Sequence, residues 1–191
     1  MRKKLKIYLF RHGQTYYNKN HMFTGFKDSK LTPEGVRHAR VIAVKLKGKK
    51  FQVAFQTTLS RSKDTLKEVL KYHPECKKII IDDRMIERGY GEFAGMHHST
   101  VVKKYGQDQF DIWHRSFTVS PPGGESFSDV AKRVQPFIRD LIRFMRKNQV
   151  DVAISAHGNS IRLFRYIMEK RTKKEACKWF IPYDKVFVYE V

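Results

Sequence analysis

An α/β fold, specifically a three-layer α/β/α sandwich around a mostly parallel sheet, is predicted by three features of the sequence. Short apolar runs alternate with segments of helical period, two of those runs end on polar clusters containing histidine, and glycine and proline punctuate the chain between them. In such a fold ligands bind beyond the carboxyl ends of the strands. Arg11, His12 and His157 fall at those ends.

The elements follow in order. Residues 5–10 read as a short strand, apolar apart from Lys6, that ends on Arg11-His12-Gly13-Gln14-Thr15. A glycine and aromatic loop comes next. Thr32 before Pro33 and Glu34 has the form of an N-cap with proline in the first turn. It opens a helix through Val36, Ala39, Ala43, Val44 and Leu46 that should end near Gly48. Residues 51–55 form a second apolar run, closed by Gln56, Thr57 and Thr58, and Leu66, Val69 and Leu70 continue at helical spacing to Pro74. Ile79, Ile80 and Ile81 make a third run. The stretch 82–95 after it has no period, and loops of that length are usually functional or disordered. Residues 101–105 suggest a short helix. After Pro121-Pro122-Gly123-Gly124, Glu125 and Ser126 open a long amphipathic helix carrying Val130, Val134, Phe137, Ile138, Leu141, Ile142 and Met145 at three and four spacing. Residues 151–155 repeat the pattern of the first strand, ending on Ala156-His157-Gly158-Asn159-Ser160. Helical period resumes at Leu163, Phe164 and Ile167, and residues 186–191 form a last strand.

The chain of 191 residues suits one domain, 1–191. No window approaches the roughly 18 unbroken apolar residues of a spanning helix. The basic start lacks the apolar core and small-residue cleavage site of a signal peptide. Cys76 and Cys177 lie far apart, giving neither a disulfide framework nor metal-ligand spacing, so a reducing cytoplasm is expected and no metal. The 39 Lys and Arg against 19 Asp and Glu leave a net charge of +20, which concentrates anions of any kind: nucleic acid, an acidic surface or a small phosphorylated substrate. Because lysine is spread along the whole chain, a solvated basic surface accounts for most of it.

A phosphoryl group asks for cationic donors to its oxygens, an in-line nucleophile and an acid for the leaving oxygen. Arg11 and Arg61 offer planar paired donors, and Asn18, Thr24 and the backbone at Gly25 offer neutral ones. Neighbouring arginines keep an imidazole neutral, so His12 is assigned as the nucleophile, with His157 beside it. Glu87, in the long loop, is assigned as the general acid, since the bound phosphate's own charge favours a protonated carboxyl nearby. Alone, each has a plainer role: a structural histidine after a strand, a solvated arginine on a helix, a surface pair between Glu87 and Arg88.

Arg11-His12-Gly13-Gln14-Thr15 with Asn18 resembles the nucleophile motif of the histidine phosphatase superfamily, which has the phosphoglycerate mutase-like fold. Further segments match in order. Phe23-Thr24-Gly25-Phe26, Asp28 and Leu31-Thr32 resemble the phosphate loop; Thr58, Leu59, Arg61 and Thr65 the second arginine segment; Ser155-Ala156-His157-Gly158-Asn159-Ser160 the second histidine segment. Glu87-Arg88-Gly89-Tyr90-Gly91, with Trp113, Arg115, Ser116 and Phe117, looks like the cofactor-dependent phosphoglycerate mutase branch.

The resemblance implies that Arg88, Tyr90, Arg115 and Asn159 contact the substrate's carboxylate or second phosphate. His98 stands where the mutases carry a substrate-binding lysine, and His114-Arg115 where they carry an arginine pair. It implies interconversion of 2- and 3-phosphoglycerate, a glycolytic step, with 2,3-bisphosphoglycerate as phosphoryl donor. The alternative is a phosphomonoesterase acting on small phosphorylated metabolites. Pro121-Pro122-Gly123-Gly124-Glu125-Ser126 is closer to the phosphatase-type members, and the mutase tail is missing after the last strand. The expected partner is a small phosphorylated substrate, with no membrane and a homodimer left open. A nucleic-acid-binding protein on the same scaffold is the distant alternative, and Trp113, Trp179, Tyr105 and Phe110 are read as packing residues instead of base-stacking platforms.

Overall fold

The computed structural model describes residues 4–191. Its centre is a five-stranded sheet of β1 (Lys6–Arg11), β2 (Val53–Gln56), β3 (Lys78–Ile81), β4 (Val152–Ala156) and β5 (Val186–Glu190), in the order β3-β2-β4-β1-β5. The first four are parallel and β5 runs antiparallel to β1.

Side chains alternate across the sheet as the pleat requires. Ile7, Leu9, Val53, Phe55, Val152 and Ile154 join the larger core, where α6 (Phe127–Asn148) and α7 (Gly158–Met168) pack. Tyr8, Phe10, Ala54 and Ala153 join a second core under α2 (Pro33–Leu46) and α3 (Ser60–Leu70). These are the three predicted layers. The N-caps arise locally: Thr32 accepts from the Gly35 N–H with Pro33 in the first turn, and Ser126 forms a capping box with Asp129.

Three helices escape the periodicity reading. α1 (Tyr16–Lys19) lies in the glycine and aromatic loop, α5 (Gln107–Arg115) follows α4 (His98–Tyr105), and α8 (Lys173–Lys178) precedes β5. α1 and α8 are short and start on threonine capping boxes. α5 is nine residues long, with Phe110 buried and Trp113 half-buried three positions on, a pattern too short to read as a period. With α4 it closes a third core of Phe23, Tyr90, Phe93, Val101 and Phe110, against which Tyr105 and Trp113 pack. The stretch 82–95 holds two single turns, Asp83–Met85 and Gly91–Phe93, with irregular backbone between them. No helix among the described residues is long and apolar enough to cross a membrane.

The sheet order places β1 and β4 side by side at the centre, and their connections leave in opposite directions. That is the switch point where a crevice opens beyond the strand ends. Arg11 pairs in register with Ala156, and the His12 N–H donates to the Ala156 carbonyl at 3.0 Å, so His12 and His157 emerge next to each other.

Candidate active site

The backbone around His12 is fixed by close approach. A Cβ on Gly13 would lie 2.0 Å from the Gly35 carbonyl oxygen at the start of α2, so only glycine fits there. The Gly13 N–H donates to Thr65 Oγ1, and Thr65 Oγ1 donates to the Arg61 carbonyl, which ties the strand end to α3. Ser62 and Ser155 exchange side-chain to carbonyl hydrogen bonds of 2.8 and 2.9 Å, which tie α3 to β4.

His12 is 1% exposed, and its Nδ1 lies 2.7 Å from the Gly13 carbonyl. A carbonyl only accepts, so Nδ1 carries the proton and Nε2 keeps its lone pair. Burial first, then the Arg61 and Arg11 charges, push the His12 pKa well below its ordinary value and hold the ring neutral. His157, fully buried with its ring centroid 5.0 Å from that of His12, is in the opposite tautomer. Its Nδ1 accepts from Arg61 Nε at 3.2 Å, so Nε2–H donates to Thr57 Oγ1 at 2.8 Å. Burial, followed by Arg61, lowers its pKa as well.

Arg61, 0% exposed, also donates through Nη1 to the Lys27 carbonyl and through Nη2 to the Gly25 carbonyl. One hydrogen remains on each Nη for a ligand. Gly25, at φ +53°, thus holds Arg61 with its carbonyl. Arg11 donates through Nη1 to the Ile181 carbonyl and lies 4.2 Å over the Tyr183 ring, which stacks on His38. Arg11 Nε is buried without a partner among the described residues. Glu87 Oε1 accepts the N–H groups of Arg88 and Asn159, while among the described residues no hydrogen bond reaches Oε2.

His12, Glu87 and His157 bring one ligand-type atom each within 4.8 Å of one another. Arg11 and Arg61 stand beside them, and both lower the His12 pKa through their charge. That field repels a cation and attracts an anion. The trio therefore fits a phosphoryl group better than a metal.

A cavity of about 350 Å³ opens outside, lined by Arg11, Asn18, Thr24, Glu87, Tyr90 and Asn159 among others. His98, His114, Arg115 and Arg162 line it further on. Asn18 Oδ1 accepts from the Thr15 N–H, and Asn159 Nδ2 donates to the Tyr90 hydroxyl. Burial lowers His98 to about 4 and His114 to about 3, so this part of the wall presents neutral imidazoles, with ring centroids 5.6 Å apart.

Arg88 is a correction to the sequence reading. Its guanidinium is enclosed, donating to the carbonyls of Glu125, His114 and Trp113, so it braces α5 against the start of α6 and does not line the cavity. Arg162 takes the place of the missing cation, donating to Asn159 Oδ1 and to the Trp179 carbonyl. It lies three residues after Asn159 on α7, hence on the same face, and that spacing could have found it. Tyr183 and Phe180, from the segment between α8 and β5, carry no signal in the sequence.

The buried histidines give stability a pH dependence. Their folded pKa values lie below the unfolded value of about 6.5, so as pH falls the unfolded chain binds protons that the folded chain refuses. Stability is full above about pH 6.5. It should fall below that by up to about 1.4 kcal/mol per pH unit for each of His12 and His157. Calorimetry should show the melting temperature dropping between pH 7 and 5, and a flat or rising profile would contradict the neutral-ring assignment.

The family model of the histidine phosphatase superfamily (branch 1) matches residues 7–190. The chain is 35% identical over 189 residues to the 2,3-bisphosphoglycerate-dependent phosphoglycerate mutase of Parvibaculum lavamentivorans, covering 97% of this chain and 90% of the relative. It is 39% identical over 179 residues to the protein of that name from Bradyrhizobium diazoefficiens, covering 90% and 84%. A solved mycobacterial glucosyl-3-phosphoglycerate phosphatase superposes with a TM-score of 0.80 at 21% identity, over 99% of this chain and 97% of that one, a likeness of fold. With the match running from the first strand to the last, this chain belongs to the histidine phosphatase superfamily.

Proposed function

We propose that this protein transfers phosphoryl groups through a phosphohistidine on His12, and that it interconverts 2- and 3-phosphoglycerate in the cytoplasm. The observation that carries this reading is the His12 ring, which is neutral and protonated on Nδ1, so that Nε2 can attack between two arginines and beside a carboxyl oxygen that has no partner among the described residues.

The residues divide the work. Arg11 and Arg61 bind the reacting phosphoryl group, with Asn18 and Thr24 beside them. His12 Nε2 forms the P–N bond as the P–O bond to the substrate breaks, and a proton from Glu87 Oε2 goes to the departing oxygen. In the reverse half-reaction the Glu87 carboxylate takes the proton from the attacking hydroxyl. Arg115 and Arg162 hold the second anionic end, and Asn159 is oriented by Arg162 and Tyr90.

The residues also fit 2,3-bisphosphoglycerate. The buried Arg11 Nε lacks a partner among the described residues, and Arg115 and Arg162 provide cations elsewhere on the same cavity wall. When bound, this molecule supplies the phosphoryl group that charges His12.

A second reading, as a phosphomonoesterase, is favoured by the neutral His98 and His114. They leave Arg115 and Arg162 to retain a second anionic group while the phosphohistidine faces water. Phosphorus NMR with 3-phosphoglycerate, run with and without 2,3-bisphosphoglycerate, separates the two. The proposal expects donor-stimulated 2-phosphoglycerate, whereas inorganic phosphate alone would overturn the mutase assignment in favour of hydrolysis.

A further inference from the structure

Arg11 and Arg61 both flank His12, but they are held in different ways. Arg61 is fixed by three hydrogen bonds, to His157 Nδ1 and to the Lys27 and Gly25 carbonyls. Arg11 makes one among the described residues, from Nη1 to the Ile181 carbonyl at 2.9 Å, and has no carboxylate partner there. A single hydrogen bond leaves a guanidinium free to swing about it. Its N–H groups all lie in one plane, so they aim at a ligand only when that plane is set.

A face contact sets it. Arg11 Cζ lies 4.2 Å from the centroid of the half-buried Tyr183 ring. Behind Tyr183 the His38 ring is stacked, with centroids 4.8 Å apart and 7° between the planes. His38 belongs to α2, and its Nε2 lies 3.1 Å from Oε1 of Glu34, one turn earlier on that helix. The arginine therefore rests on a tyrosine that rests on a helix. The segment before β5 supplies both contacts, since the buried Ile181 accepts in the guanidinium plane and Tyr183 covers a face.

An aromatic face attracts a cation without taking up any of its in-plane N–H groups. Of the five on a guanidinium, Arg11 spends one on Ile181 and keeps four, including the buried Nε, whereas Arg61 spends three and keeps two. Arg11 is thus the richer donor to an anion and the one whose aim depends on stacking.

Resting on Arg11 as a phosphoryl donor in the proposed reaction, we propose that Tyr183 is a positioning residue whose ring, backed by His38, fixes the plane in which Arg11 meets the phosphoryl group. Calorimetric binding of inorganic phosphate to the full chain tests this without calling on turnover. Tyr183→Leu keeps bulk without a π face and should weaken phosphate about tenfold, whereas Tyr183→Phe should stay within about twofold of the native chain. On an Arg11→Ala background, Tyr183→Leu should cost less than about twofold, because the ring acts only through Arg11. Native-like binding by Tyr183→Leu overturns the proposal, as does an equal loss with and without Arg11. A Tyr183→Phe variant as weak as Tyr183→Leu would place the effect in the hydroxyl and overturn it too. If Arg11→Ala binds phosphate no worse than the native chain, the assignment of Arg11 as a phosphoryl donor fails and the proposal falls with it.

Discussion

His12→Ala is expected to lower phosphoryl transfer by about 10⁴-fold or more and to abolish the phosphoenzyme, because no other group among the described residues combines a free ring nitrogen with flanking arginines. His157 cannot substitute. Both of its ring nitrogens are engaged, one by Arg61 and the other by Thr57. The variant should fold, since His12 contributes one side-chain hydrogen bond, to the carbonyl of its own neighbour. Steady-state kinetics combined with alkali-quench detection of phosphoprotein checks both halves. A variant within tenfold of the native rate would remove His12 from the chemistry.

Arg61→Ala should do damage of two kinds. It removes donors from the phosphoryl group, which should lower transfer by about 10³-fold. It also leaves the buried Gly25 carbonyl and His157 Nδ1 without their donor, which should destabilise the fold by about 3 kcal/mol. Burial holds the Arg61 pKa down to about 10, so the side chain is still charged at neutral pH. Arg61→Lys keeps the charge and loses the fork, and should recover part of the activity but little of the stability. Denaturant melts together with kinetics on both variants separate the two effects. Equal stability in all three proteins would show that the buried network is dispensable.

The chemistry was legible wherever it sits at strand ends. Arg11, His12 and His157 follow short apolar runs, and their adjacency comes from the parallel pairing of β1 with β4. Glu87 was legible only because an aperiodic stretch of that length calls for a purpose. Its placement depends on the backbone N–H groups of Arg88 and Asn159. Arg88 misled because an arginine beside an acid reads the same whether it faces a ligand or three carbonyls. Arg61 taken alone reads as a solvated helix residue and reads as a phosphoryl donor only beside Arg11 and the histidines; its full burial carries no signal in the sequence. The tautomers of His12 and His157 were out of reach, since they depend on single hydrogen bonds from distant segments. Tyr183 reaches Arg11 across 172 positions of chain, and only the return of the chain along β5 brings it there.

His12 carries the phosphoryl group in the proposed reaction. The most direct test is rapid mixing of the native protein with 2,3-bisphosphoglycerate, followed by quenching in alkali, in which phosphohistidine survives, and peptide mapping by mass spectrometry. The predicted result is a phosphoryl group on the peptide containing His12 that forms before product and disappears on addition of 3-phosphoglycerate. Product formation with no phosphopeptide, or with the label on His157 or any other residue, would contradict it.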